Sequence, residues 1–523
     1  MRGWCGARWW LVALTIASCG PARVARPGHL RARVGPPSTS GAERPSCDEL
    51  GADTPRACVI AVFDAEAGRV VLEVRLDPAA LPATRREVEV VFGEARHALG
   101  PVGEPTELRH EVTLVSRAAP GESFRHAAGW HLAGRTFLPA IVVDGEPVEV
   151  PATLFLDTGA LPLATSAGDD HRAFDAPSLT RLADEVYEVG PLARTSREVG
   201  ADTLLVVGSL SREALGRAAD VLAGVYRELA GSLGDSPASA ILIVLHPADG
   251  APWAARAGGA IVWALEPAED PVLALAGALT PLAQHFLRSE EPWVSEGVAA
   301  YLALRAGAGL LELSPRAVPR QMIRIAAVPD HAAHRGTLAA FCLDADLTAQ
   351  GSSLAAALAA ARGTISSEGV LGDLAAVWPD AASHLAALLE PGTEIAVDDC
   401  LSPLGWRAVE QALAAPTEAA LRSALGVETW TEHETLPLLR IDAAGEGGPL
   451  EVGDVLLAVG ATPVAAPDDV AWALRDLPAS ARVELSVWRR GARTSRALVV
   501  PDLAGVERAE RAYVELAQAE EAP

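Results

Sequence analysis

Two short runs decide how the chain is read: Thr280-Pro281-Leu282-Ala283-Gln284-His285, and beyond it Pro292-Trp293-Val294-Ser295-Glu296-Gly297-Val298-Ala299-Ala300-Tyr301. The first reads as a helix start, with Thr280 as N-cap and Pro281 as first helical residue, where a missing N–H costs nothing. His285 and Glu296 are metal-capable side chains on these helices. Zinc sites use three or four protein ligands. Proline has no lone pair to offer and leucine cannot accept a proton, so Pro281 and Leu282 add nothing. His246, His331 and His334 are further histidines of the same part, each read first as hydrogen-bonded or solvent-facing.

The surroundings are helical. From Ser211 to Gly231, Leu215, Ala218, Val221, Leu222, Val225 and Leu229 follow a helical period. A buried strand, Ala240 to Leu245, comes next, and helical segments then run to about Val427. Before Gly200 the period is two: Leu72, Val74 and Leu76 alternate with Glu73, Arg75 and Asp77. Similar runs recur at Val88 to Phe92, Glu111 to Val115, Ile141 to Val143 and Thr153 to Leu156, separated by turns such as Asp144-Gly145. The fold class expected is multidomain α+β, with an N-terminal β-sandwich over residues 47–200 and an α-rich part over 201–430.

Within the β part, Leu154-Phe155-Leu156-Asp157-Thr158-Gly159-Ala160 is similar to the catalytic loop of retropepsin-type aspartic proteases. That chemistry needs two aspartates sharing a proton, and the chain holds no second Asp-Thr-Gly or Asp-Ser-Gly. A single copy would work only in a homodimer. The simpler reading is a strand followed by a turn, with Asp157 as the turn residue.

The chain has 523 residues, of which 50% are hydrophobic and 21% charged, enough for several cores. Its net charge is −25, from 68 acidic against 43 basic residues, and it has no lysine. That balance excludes nucleic acid as a partner. Arg2 and Arg8 precede the apolar run Trp9 to Ala17, too short to span a bilayer but suited to a signal peptide. Ile16-Ala17-Ser18-Cys19 resembles a bacterial lipobox, so residues 1–19 are expected to direct lipidation of Cys19. The expected location is the cell envelope, anchored to a membrane, with the outer membrane favoured. Residues 20–46, rich in Pro, Gly, Arg and Ser, are expected to be a disordered tether. Cys47 and Cys58 form a candidate disulfide outside the cytoplasm; Cys342 and Cys400 could pair or remain buried thiols.

Trp293 to Tyr301 resembles the Trp-x-x-Glu-Gly-x-x-x-Tyr helix of gluzincin metallopeptidases, where the glutamate is the third zinc ligand. The preceding helix stands where such enzymes carry His-Glu-x-x-His. There two histidines four apart grip zinc and the glutamate activates the bound water. Pro281 and Leu282 fill the places of the first histidine and the base. Further stretches are similar to the glycyl-aminopeptidase-type gluzincins: Trp130 to Pro139, Phe174 to Asp184, His334-Arg335-Gly336 with Phe341 to Leu347, and Leu401 to Gly405. The family's tyrosine ahead of the position of Arg335 is absent. The resemblance implies a thermolysin-like central domain with a degenerate zinc motif, in which His285 and Glu296 are vestigial.

It also implies a C-terminal PDZ domain over residues 431–501. Leu450 to Gly460, with Gly453-Asp454 leading into a strand, is similar to the PDZ signature. Ala466 to Leu477 suits the groove helix and Ala481 to Trp488 the next strand. Leu450, Gly453 and Asp454 are the candidate peptide-binding residues. Glu434 to Arg440 lacks the glycines of a carboxylate-binding loop, which argues against peptide capture. Residues 502–523 read as an acidic helical tail. The function expected is a non-catalytic lipoprotein with a protein or peptide partner and no cofactor. The alternative is an active zinc aminopeptidase with rearranged ligands.

Overall fold

The computed structural model describes residues 31–32, 56–81, 87–99, 106–114, 121–126, 129–165, 168–169, 173–233, 240–247, 253–257, 260–265, 275–276, 279–287, 291, 293–326, 332–361, 379–390, 395–433, 436–503 and 508–518. Cys19, Cys47 and His331 lie outside them.

The N-terminal part holds three sheets around one apolar core, not the two of a simple sandwich. In the first sheet Val70, Leu72, Val74 and Leu76 point inward from the strand Arg69–Leu76, as their alternation requires. Its neighbour Ala57–Asp64 pairs in parallel with Ala152–Asp157. Alternation fixes which face of a strand is buried but not its partner, so the extra sheet and the parallel pair were not legible. Arg31–Ala32, expected in a disordered tether, pair with Asp175 and Phe174 at the edge of this sheet. Backbone pairing needs no apolar side chain, which is why composition missed it.

The third sheet includes Leu163–Thr165, Val186–Val189, Gly129–Ala133 and Phe124–His126, in that order. Its Ala164 and Val186 pack against Val207, Leu242, Val244, Ala260 and Val262 of the central sheet. The central sheet runs Ala193–Val199, Asp202–Gly208, Ala240–Pro247, Ala260–Leu265, Trp253–Ala257. Its middle three strands are parallel and both edges antiparallel. The expected boundary at residue 200 falls inside the first hairpin, so the central part begins near Gly190.

On the far face of that sheet lies the α-rich core. The amphipathic helix Arg212–Leu233 buries Leu215, Leu222, Val225 and Leu229 there, together with the helices Thr280–Leu287, Ala299–Leu310 and Ala332–Ala349. A disulfide joins Cys342 of the last helix to Cys400. Cys58 is also disulfide-bonded. Trp406–Pro416 pairs antiparallel with Arg508–Gln518. The expected helical tail is therefore a strand; Ala509, Ala512, Tyr513 and Leu516 follow a helical period while Ala512, Val514 and Leu516 follow a strand period, and the waiting partner strand decides.

The C-terminal sheet orders Val427–Glu432, Leu439–Ala444, Val455–Val459, Arg482–Arg489 and Ala492–Val499, with one helix, Pro467–Leu474. It is docked rather than tethered. Leu436, Leu438, Val455, Leu457 and Trp488 belong to the α-rich core, and Arg320 pairs with the fully buried Asp469. Among the described residues no helix is long and apolar enough to cross a membrane.

Candidate functional site

The helix Thr280–Leu287 opens with the carbonyl of Leu279 accepting from the N–H groups of Leu282 and Ala283. Its N-cap is thus Leu279, one residue before the expected Thr280, and Pro281 still sits in the first turn. Pro281 is buried and Leu282 has no exposed surface, packed in the α-rich core. His285 is buried beside Phe286, with ring centroids 5.8 Å apart. Glu296 is exposed on the π-helical turn Trp293–Val298. The residues preceding them are joined: Gln284 Nε2 donates to the Ser295 carbonyl at 2.7 Å. The two helices thus stand side by side, but no metal-capable group of three or more among the described residues includes His285 or Glu296.

Among the described residues these two helices therefore assemble no three-ligand metal group. Pro281 and Leu282 place buried apolar side chains on the first of them, and neither can donate to a metal.

The retained neighbours have structural work. Trp293 Nε1 donates to Glu291 at 2.7 Å. Tyr301 donates its hydroxyl to the buried Asp344 at 2.6 Å, and Asp344 also takes the Arg305 guanidinium and the Leu354 N–H. Burial and then the Asp344 charge push the Tyr301 hydroxyl well above its ordinary pKa. Gly297 crosses Gly336 backbone to backbone: a Cβ on Gly297 would lie 2.5 Å from the Gly336 Cα.

Asp157 is the last residue of the strand Ala152–Asp157, opposite Val62, rather than a residue of the turn that follows. Its carboxylate accepts the Gly159 N–H at 2.9 Å, and Thr158 Oγ1 donates to the Leu161 carbonyl at 2.8 Å. In the C-terminal sheet, Leu450 is buried and the Asp454 carboxylate takes the Arg489 guanidinium and the Glu451 N–H, while Gly453 makes the turn with φ +85°. All three expected peptide-binding residues are committed to the fold of the turn.

A different cluster lies between the third sheet and the central sheet. Strand alternation builds it. Val186 and Glu188 share one face of Val186–Val189, while Leu242, Val244 and His246 share one face of Ala240–Pro247. The apolar members of both series meet in the inter-sheet core, and Glu188 and His246 continue them. Glu188 is registered opposite His131, itself opposite Phe124, two residues before His126. The Glu188 carboxylate bonds His131 Nδ1 through Oε1, and faces His246 Nε2 at 3.1 Å and His126 Nε2 at 3.8 Å through Oε2. Ser209 Oγ lies 3.1 Å from His246 Nδ1. The His126 and His246 rings stack at 4.1 Å, and Phe124 lies on His131 at 4.8 Å.

Burial alone raises the Glu188 carboxyl, but the charges of His131 and His246 with hydrogen bonds from His126 and His131 outweigh it. They hold Glu188 well below the usual carboxylate range. Burial lowers His246, against the pull of Glu188. Sequence reading considered His246 only as a companion of His285 and passed over His126, His131 and Glu188. The available signal was a glutamate inside the buried run Val186-Tyr187-Glu188-Val189.

No protein-family model and no curated protein matches the chain. Among solved structures, an aminopeptidase N family protein from Idiomarina loihiensis is similar, with a TM-score of 0.57 at 11% identity. The chain has an aminopeptidase-like fold. The likeness covers 89% of this chain and 98% of that one, too much to leave out any of the three parts. An M1 zinc metallopeptidase from Deinococcus radiodurans is more loosely similar, with a TM-score of 0.43 at 16% identity over 66% of this chain and 95% of that one. At 11% identity the likeness to the Idiomarina loihiensis protein shows the fold alone, and the chemistry has to be read from the residues.

Proposed function

We propose that the chain is a peptidase-like lipoprotein of the bacterial cell envelope that binds a protein or peptide and does not hydrolyse it. The observation that supports this is the burial of Pro281 and Leu282, which the resemblance to glycyl-aminopeptidase-type gluzincins would put at the places of a zinc ligand and the base. A zinc hydrolase needs three protein ligands and a base beside the metal-bound water. Loss of the base alone removes roughly 10²–10⁴ of rate. The C-terminal sheet is proposed as a PDZ-like domain whose loop before Leu439 is used for docking, since Leu436 and Leu438 are buried against the α-rich core. Its partner is then the rest of this chain, and capture of free C-termini is weak or absent.

Peptide hydrolysis by the full chain in the presence of zinc tests the reading. No turnover above buffer, with Glu296→Ala unchanged, supports it. Hydrolysis abolished by Glu296→Ala would make the chain an active aminopeptidase with rearranged ligands. Anchoring is tested apart: Cys19→Ala should move the protein from the detergent phase to the aqueous phase and remove lipid label, and a variant still lipid-labelled sinks that part.

A further inference from the structure

We infer that His126, Glu188 and His246 form a binding site for one divalent transition-metal ion of the zinc type, which clamps the third sheet of the β part to the central sheet. The ligand atoms are His126 Nε2, His246 Nε2 and Glu188 Oε2, and all lie within 4.8 Å of one another. A tetrahedral zinc with arms of about 2.0–2.1 Å sets its ligands roughly 3.4 Å apart. The observed 3.1 Å and 3.8 Å bracket that figure. Two imidazoles and one carboxylate suit zinc, cobalt or nickel better than calcium or magnesium, which prefer all-oxygen sites.

The surroundings match a metal site in its outer layer too. Glu188 Oε1 is taken by His131, which orients the carboxylate and leaves Oε2 turned toward the other two rings. Ser209 faces His246 Nδ1, and a hydroxyl can donate to that nitrogen or accept from it. With Ser209 beside Nδ1, the His246 ring can carry its proton on Nδ1 and donate it to Ser209 Oγ, which would leave Nε2 to a metal. Phe124 and Trp253 line the cluster with apolar ring surface.

The cluster also has a cost that packing does not explain. Glu188 and His246 have no exposed surface, and the His126 and His131 side chains are only 4% and 2% exposed. Desolvating such groups costs several kcal/mol each, and apolar residues would join the same sheets more cheaply. Two ligands come from the third sheet and one from the central sheet, so an ion ties the two parts together. His126 lies on the outermost strand of the third sheet, the natural point of entry. This inference does not depend on the lack of peptidase activity.

Full-length protein is stripped with chelator, and zinc binding is followed by metal analysis after dialysis and by the shift in melting temperature. One zinc per chain and a Tm that climbs with zinc concentration are expected. His126→Gln, at the edge strand, should lose the ion while keeping the native circular dichroism; Glu188→Gln should lose it too, and Ser209→Ala should weaken it roughly 10–100-fold. His285→Ala and Glu296→Ala should leave the stoichiometry unchanged. Failure to bind zinc, or full binding in His126→Gln, would overturn the site and leave a hydrogen-bonded ionic network. Zinc lost in His285→Ala and kept in His126→Gln would move the ion to the peptidase cleft, overturning this inference. Peptide hydrolysis with the zinc site intact would overturn only the proposed function.

Discussion

Gly297→Ala places a methyl group on a close helix crossing of the central part. The new Cβ would lie 2.5 Å from both Cα and C of Gly336 and 3.0 Å from its carbonyl oxygen. Ordinary carbon contacts are about 3.5–4.0 Å, so the shortfall is on the order of 1 Å. The obstacle is backbone, which cannot rotate aside as a side chain would. The π-helical turn Trp293–Val298 must therefore lift off the helix Ala332–Ala349. Overpacking typically costs about 1–3 kcal/mol and sometimes more, while glycine to alanine in a helix returns up to about 1 kcal/mol. A net loss of about 2–3 kcal/mol is expected for Gly297→Ala. For Gly336→Ala the Cβ meets Gly297 Cα at 3.0 Å, a milder contact, and propensity offsets most of it. Its expected loss is about 0–1.5 kcal/mol. Both methyls occupy one crossing, so the double variant should lose less than the sum. Urea unfolding followed by tryptophan fluorescence reads this directly, because Trp293 sits at the crossing. An unchanged midpoint for Gly297→Ala, or a larger loss for Gly336→Ala, refutes the close-approach argument.

Leu282→Glu puts an ionisable group in the core; a loss of several kcal/mol is expected at pH 7, smaller at pH 5 where the acid can stay neutral, and equal stability at both pH values would contradict the burial. Replacing Cys342 and Cys400 by serine opens a loop with a sequence separation of 58 and should cost about 4 kcal/mol by the chain-entropy estimate, read as a lower thermal midpoint beside the oxidised protein. Tyr187 and Tyr301 are raised well above the ordinary tyrosine pKa, chiefly by burial, so folding keeps both neutral. The stability this gives is present below about pH 10 and lost as pH climbs through the folded values. In ultraviolet titration, at least two of the four tyrosines should ionise only with unfolding, and four ionising reversibly near pH 10 would refute it.

Strand and helix positions were largely open to sequence reading wherever burial on one face produced a period. Val88–Phe92 was located to the residue, and the strand Ala240–Pro247 and helix Arg212–Leu233 to within two. Partnership was not, because a strand's pattern says which side faces a core and nothing about its neighbour. That single gap explains the third sheet, the boundary displaced from residue 200, and the tail Arg508–Gln518 read as a helix. It explains the site as well. Pro281, Leu282, His285 and Glu296 are close in sequence and could be weighed together. His126, Glu188 and His246 come from three strands in two sheets and meet only through register.

The two groups of polar positions differ in what keeps them. Around the helices Thr280–Leu287 and Ala299–Leu310, the side chains have packing or hydrogen bonds to supply: Trp293 holds Glu291, Gly297 admits Gly336, and Tyr301 satisfies the buried Asp344. Leu282, with no donor atom to offer, contributes about 1.5–3 kcal/mol by burial. The inter-sheet cluster shows the reverse. Three imidazoles and a carboxylate occupy a place where Ala164, Val186, Leu242 and Val244 already join the same two sheets. Replacing them by apolar side chains would stabilise the junction. Their presence there calls for a ligand that repays desolvation, and two Nε2 atoms converging on one ionised carboxylate oxygen offer a cation that repayment.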